Sequence, residues 1–343
     1  MKTALITGIT GQDGSNLTNF LLKDKEYKII GMIRRSSYPN TQRLDHLIDL
    51  EETQDSKFKL EYGDVIDFST MNRLILKYLP DEIYFLSAQS HVAISFQTPI
   101  STLEYNTMGY LNLLEIVRTL KETQGYNPKI YFAASSEMFG ISPPPQNENT
   151  PMLPVSPYGV SKLASFSLGR VYRTAYNMFI CNGILFNHSS KNRGFNFVTK
   201  KITMGVSDIV SGKKEKLYLG NLNSCRDEGH SEDYVEMMWK MLQEEKPDDY
   251  VIATGETHTI EEFVDEAFKL LGLDWKDYVV ISDKYKRPFE LPALLGDAKK
   301  AIDILGFKPK RKFHEIIKEM LEFDLKERGI NSIEEAKEII SKW

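Results

Sequence analysis

Cysteine is scarce in this chain. Only Cys181 and Cys225 occur in 343 residues, far apart and in no metal or redox spacing. Cys181 lies inside the apolar run "MFICNGILF" and reads as a small core residue. The six histidines are scattered without an HExxH-like pair, so the pattern offers no metal site. No apolar run reaches the roughly 20 residues of a membrane span. Positive charge is not in excess: 43 basic against 48 acidic residues leave a net charge of -5. Neither nucleic acid nor an anionic membrane is an expected partner. "MKTALITG" opens straight into a strand pattern, with no signal peptide in front of it. There is no internal repeat or low-complexity segment. The expectation is a soluble cytoplasmic protein of more than one minimal domain, with a sizeable core.

What is present is alternation. Short β-branched runs at 3–7, 27–33, 58–63, 82–88, 129–135 and 178–186 are separated by segments of helical period. Near-continuous apolar strands between helices imply a parallel sheet covered on both faces. After about residue 187 the texture turns polar and broken, with one further strand at 250–255 and clear helices in "TIEEFVDEAFKLLG" and "FHEIIKEMLEFDLKERG". The fold class is therefore α/β: a Rossmann-type doubly wound parallel sheet with a smaller α/β substrate-binding domain. The first domain takes residues 1–186 with returning segments at about 231–256 and 292–306. The second takes 187–230, 257–291 and 307–343.

"TALITGITGQDGSNL" places Gly8, Gly11 and Gly14 directly after a strand and before a helix. Gly8 permits the tight turn, and Gly11 lets the backbone approach a pyrophosphate lying on the helix N-terminus. The GxxGxxG spacing points to a short-chain dehydrogenase type of fold. A carboxylate after the second strand would select NAD; here the sequence is Arg34, Arg35, Ser36, Ser37. Guanidinium and hydroxyl donors suit a 2′-phosphate, so the cofactor expected is NADP. Asp64 follows the third strand toward the adenine, and "LSAQSH" follows the fourth along the cofactor channel.

"SPYGVSK" carries Tyr158 and Lys162 four apart, on one face of a helix. A lysine beside a tyrosine favours the phenolate, giving a base for a sugar hydroxyl. The strand "KIYFAAS" ends in Ser135, Ser136 and Glu137, at the sheet edge where α/β enzymes keep their chemistry. A capped turn would also account for that ending.

These segments together resemble the extended short-chain dehydrogenase/reductase superfamily and, within it, the GDP-mannose 4,6-dehydratase family. The similarity runs over nearly the whole chain through "TGITGQDGS", "RRSS", "PDEIYFLSAQSHVAISFQTP", "YGVSK", "CNGILFNHSS", "KLYLGNL", "RDEGH" and "DDYVIATGE". The resemblance implies catalytic roles for four residues. Ser135 would hold the substrate 4-hydroxyl, Glu137 would work at C5, Tyr158 would be the base and Lys162 its orienting partner. It implies cofactor contacts from Gly8, Thr10, Gly11, Gln12, Asp13, Gly14, Arg34, Arg35, Ser36, Asp64, Val65, Leu86, Ala88, Gln89, Ser90, Lys162, His188 and Arg193. It implies GDP-sugar contacts from Ser90, Asn187, Val198, Lys201, Leu217, Gly220, Arg226, Arg287 and Glu290. It further implies pairing of the helices at 101–122 and 157–177 into a homodimer, or a homotetramer through the Arg34–Arg35 loop.

The chain departs from the family in places. "ASSEMFG" stands where "STSELYG" is usual, and "RDEGH" puts Glu228 in the place of a tryptophan. "RPFELPA" replaces "RPTEVD", and "SSKNRG" replaces "ESPRRG". Ser135 keeps the hydroxyl, while the other changes fall in the substrate domain. A GDP-manno-heptose is thus the rival substrate. A 4-epimerase or 4-reductase would share Tyr158 and Lys162 but has no use for Glu137. A non-catalytic NADP-binding protein would need none of the three.

Overall fold

The computed structural model describes residues 1–38, 40–51, 56–285 and 288–343, and for 49–51 the backbone alone. Seven strands form the main sheet: β1 Thr3–Thr7, β2 Lys28–Ile33, β3 Phe58–Tyr62, β4 Glu82–Phe85, β5 Lys129–Ser135, β6 Ile180–Leu185 and β7 Asp249–Ile252. Their order is β7-β6-β5-β4-β1-β2-β3, and every pairing is parallel. The chain moves outward from β1 in one direction, then returns to β4 on its other side. That reversal is the switch point of a doubly wound sheet, where ligands bind beyond the strand ends.

Helices cover both faces, which is why β4 and β6 are buried along their whole length. α1 Gln12–Asp24 and α2 Phe68–Tyr78 follow β1 and β3. α3 Gly109–Gln124 and α4 Pro157–Tyr176 follow β4 and β5. The stretch read as one helix over 101–122 is broken: Pro99–Leu103 is α-helical, Glu104–Met108 is a π-turn, and α3 begins only at Gly109. The π-turn turns Asn106 inward, where burial is repaid by three bonds. Its amide donates to the Gln89 carbonyl (3.0 Å) and Ser161 Oγ (2.9 Å), and its oxygen accepts from Gln89 N (2.8 Å).

A second hydrophobic cluster lies apart from the sheet. It is built by α5 Val198–Val210, the later helix α7 Ile260–Lys269 and α8 Phe313–Lys326, around Ile202, Val206, Phe263, Ile316 and Met320. Between α5 and α7 the helix α6 Ser231–Gln243 returns to the sheet and packs Met237, Met238 and Met241 into its cluster. The short strand Asn187–Ser189 pairs in parallel with Glu228–His230. Among the described residues no helix is long and apolar enough to cross a membrane, and no His, Cys, Asp and Glu group could hold a metal.

Candidate active site

The ends of β1, β2, β4, β5 and β6 open on one cleft of about 1410 Å³, whose far wall comes from residues around α5, from 219–228, and from Lys284, Tyr285, Pro288 and Glu290.

At its floor is the glycine loop. Gly8 has φ +70°, and a Cβ there would lie 2.8 Å from Ser87 N. A Cβ on Gly14 would lie 2.6 Å from Ile9 Cα, so only glycine lets α1 start this close to the strand. α1 is capped at Gly11 by no side chain, which leaves its first amides to the cleft. This is a cradle for a pyrophosphate.

Behind the cradle a buried histidine pairs with a half-buried carboxylate. His188 Nδ1 faces the Phe186 carbonyl at 2.7 Å, and Nε2 faces the Asp13 carboxylate at 2.9 Å. Both partners only accept, so both ring nitrogens donate and the ring is an imidazolium. Burial alone would lower its pKa, but the Asp13 charge and hydrogen bond raise it. Burial likewise pushes Asp13 up, and His188, Gln12 and Ser231 hold it well below the usual carboxylate range. Ser231 Oγ (2.9 Å) and Gln12 Nε2 (3.0 Å) both donate to Asp13 Oδ1. The His188 ring also stacks on Tyr234 at 4.6 Å.

The residues expected to carry the chemistry stand at the end of β5. Ser135 caps the turn Ser136–Met138 by accepting from Glu137 N at 3.2 Å, so the capped-turn reading holds as well. Ser135 and Glu137 are both nearly buried and line the cleft. Ser156 caps α4 by accepting from Gly159 N at 3.0 Å, with Pro157 at the first helical position. The cap fixes where Tyr158 and Lys162 face the cleft. Ser135 lies close enough to Tyr158 to pull its pKa down against burial.

One expectation fails here. Lys162 Nζ donates to the Ala133 carbonyl at 2.7 Å and lies 5.9 Å from the centre of the Tyr158 ring. Its charge is not spent on the phenol oxygen. Burial pushes Tyr158 up to about 12 despite Ser135, and pulls Lys162 down to about 7. The protein alone therefore holds a phenol, not a phenolate.

The pattern of the family described as GDP-mannose 4,6 dehydratase matches residues 5–320. The chain belongs to the GDP-mannose 4,6-dehydratase family. It is 54% identical over 325 residues to GDP-mannose 4,6 dehydratase 2 of Arabidopsis thaliana, covering 94% of this chain and 87% of that one. It is 43% identical over 354 residues to GDP-mannose 4,6-dehydratase of Vibrio cholerae serotype O1, covering 95% and 94%. Among solved structures, the UDP-glucuronic acid 4-epimerase of Bacillus cereus superposes with TM-score 0.82 at 20% identity, over 94% of this chain and 99% of that one. RMD from Pseudomonas aeruginosa, solved with NADPH, gives 0.77 at 20%, over 95% and 100%. The last two likenesses concern the fold.

Most residues implied by the family resemblance meet in the cleft. Thr10, Gln12, Asp13, Arg34, Ser36, Asp64, Val65, Leu86, Ala88, Gln89, Ser90, His188 and Arg193 line it beside the glycines. So do Asn187, Val198, Lys201, Gly220, Arg226 and Glu290. Two do not. Arg35 stands exposed outside the lining. Leu217 is buried in the second cluster, and its amide is committed to the Tyr278 carbonyl at 2.9 Å. Arg287 lies outside the described residues.

The far wall is rich in desolvated charge. Burial, with Lys214 and Lys284 nearby, pulls Lys201 down to about 8, and its ammonium sits 3.1 Å over the Tyr285 ring centre. Arg193 donates to the His188 carbonyl at 2.9 Å and lies 4.0 Å over Phe197, while its Nε is buried without a partner. Glu228 reaches the lining too, with Oε1 buried and unpartnered. Burial pushes that carboxyl up against the pull of Arg193, Ser189, His188 and Arg226. Sequence reasoning missed Asn106, hidden in an apparently regular helix, and Arg43, in a loop with no motif.

Proposed function

We propose that this protein is an NADP-dependent GDP-mannose 4,6-dehydratase, converting GDP-mannose to GDP-4-keto-6-deoxymannose. The observation that carries the reading is the gathering of Ser135, Glu137 and Tyr158 at one buried edge of the cleft. A 4-epimerase uses no carboxylate there.

Bound NADP would supply the hydride acceptor for C4 and the hydride donor for C6. Tyr158 Oη accepts the proton from the sugar O4, with Ser135 Oγ holding both oxygens in line. With its pKa raised by burial, Tyr158 must be ionised before that transfer, which the nearby Arg193 charge favours. The 4-keto group acidifies the C5 proton, which the Glu137 carboxylate removes and then returns to the departing C6 hydroxyl as water. The O4 proton held by Tyr158 would then pass to C5 as hydride is added at C6, so Tyr158 is restored at each turnover and the reaction is redox-neutral. Lys162, fixed on Ala133 O, holds the far end of the tyrosine face. The uncapped α1 amides and the Asp13–His188 pair form the cofactor cradle, while Lys201, Arg226 and Asn187 face the GDP-sugar.

The same reading places the enzyme in the cytoplasm and makes it a homodimer. Ile100, Leu103, Met108, Val160 and Val171 all project from the Pro99–Met108 and α4 surfaces into solvent, an apolar face suited to a second copy. Sedimentation would test the dimer.

GDP-mannose alone, followed by NMR, is the direct test. The 4-keto-6-deoxy product should form without added reductant. An isomer would establish an epimerase, and no product would sink the reading. GDP-manno-heptose is the second reading, favoured by Glu228, which offers an unpartnered acceptor on the cleft wall.

A further inference from the structure

Arg43 lies between β2 and the short helix Asp45–Glu51, in the cleft lining. Its Nε donates to the Asn192 carbonyl at 2.8 Å and its Nη1 to the Thr10 carbonyl at 3.1 Å. A guanidinium carries five N–H donors in one plane. Two neutral carbonyls fix that plane and leave the rest of the fork free. The side chain is half-buried, and among the described residues no carboxylate pairs with it. Burial lowers its pKa with nothing to offset the loss. A desolvated charge without a counter-charge is costly, and a ligand anion removes the cost.

We infer that Arg43 is a specificity residue, the cation that reads the 2′-phosphate on the cofactor's adenosine ribose, in place of the exposed Arg35. The inference rests on the NADP reading above. Two phosphate sites of a dinucleotide compete for Arg43. The pyrophosphate is already served by the uncapped start of α1. Arg43 instead belongs to the segment after β2, where Arg34, Ser36, Asn40 and Thr41 also line the cleft. That is the end of the cleft where the 2′ position is read. Arg34 is exposed and donates to Tyr105 Oη at 3.2 Å. Water and salt screen an exposed cation far more than a half-buried one. Arg43 therefore dominates the discrimination. Its bond to Asn192 also ties phosphate recognition to the loop that carries Arg193.

The test is calorimetric titration of the full chain, freed of nucleotide, with NADP+, NAD+, 2′,5′-ADP and 5′-ADP. Wild type should bind the 2′-phosphorylated member of each pair more tightly. Arg43→Met should weaken NADP+ and 2′,5′-ADP by roughly 10–150-fold, the worth of one charge-assisted bond. NAD+ and 5′-ADP should stay within about 3-fold. Arg43→Lys, which keeps the charge and guards against misfolding of the Met variant, should lose less. Equal losses for both members of a pair would overturn the inference by assigning Arg43 to the pyrophosphate or to loop structure. A preference retained in Arg43→Met would overturn it alone. No preference in wild type would remove the NADP reading, and Arg43 with it.

Discussion

The two walls of the cleft are built on opposite terms. On the sheet side, polar groups are satisfied by one another: Asp13 by His188, Gln12 and Ser231, and Asn106 by Gln89 and Ser161. On the far side, charge is desolvated and left partly open at Lys201, Arg193 Nε and Glu228 Oε1. A satisfied network is rigid and holds a permanently needed geometry. Open charges raise the energy of the empty cleft and are relieved by a ligand. Apart from Arg43, the sheet side thus resembles a finished structure, and the far side one completed on binding.

The sharpest break is at the reactive edge, which belongs to neither wall. Tyr158→Phe removes only the oxygen that accepts the O4 proton. Turnover should fall toward the upper end of the roughly 100–10,000-fold range of positioned acid–base groups, with NADP and GDP-mannose still bound. Near-normal turnover measured by product NMR would show another base.

Asp13→Asn tests whether the sheet-side wall is as finished as it looks. It strands a buried imidazolium, and breaking such a pair costs about 3–5 kcal/mol of stability. The sign fixes the pH window. Asp13, its pKa depressed, contributes stability above the ordinary carboxyl value of 3.8, lost as pH falls toward its folded value. His188, its pKa raised, contributes below 6.5, lost as pH rises through its folded value. The gap between wild type and Asp13→Asn should therefore be widest between about pH 4 and 6.5, and chemical denaturation across pH would reveal a flat gap if the pair were idle.

How far each wall could be read in advance follows the same division. β1 and β5 have the residue bounds that their β-branched runs foretold, because parallel strands buried on both faces are written as continuous apolar sequence. The glycine loop and the SPYGVSK segment are local patterns, so their residues reach the cleft together. Local pattern misleads where tertiary contact decides. The π-turn at Glu104–Met108 exists because Asn106 meets Gln89 and Ser161, far away in sequence. Arg34 and Arg35 look equivalent in the chain, yet only one lines the cleft. Arg43 carries no motif, and its setting comes from Thr10 and Asn192. Likewise, four-residue spacing puts Lys162 on the right helix face, but the Ala133 carbonyl that takes its ammonium belongs to β5.

Glu137→Gln asks which chemistry the edge performs. Size and hydrogen bonding are kept, and the base is lost. The variant should lose at least about 100-fold in product release while still forming 4-keto sugar on the enzyme. Exchange of the C5 proton with deuterated water should slow by a similar factor. Rapid exchange with normal turnover would remove Glu137 from the mechanism and leave it as a turn residue worth about 1 kcal/mol.

The smallest effect expected is in stability, at Lys162. Its ammonium is buried against a single neutral carbonyl, so the folded chain holds the proton poorly and burial pulls the pKa to about 7 from 10.5. Between those values the unfolded chain binds more protons than the folded one, so raising the pH stabilises the ligand-free protein. The slope is at most about 1.4 kcal/mol per pH unit. His188 works in the opposite direction, since its folded pKa is raised and its contribution fades on the same climb. Lys162→Met leaves His188 in place, so the difference between wild type and variant isolates the lysine. Below about pH 7 the variant should melt a few degrees higher than wild type by a nearly constant margin, and the gap should shrink steadily as the pH rises from 7 toward 10.5. A gap that widens with rising pH would mean that the ammonium is stabilised in the empty cleft, and that Lys162 already belongs to the finished wall before any cofactor arrives.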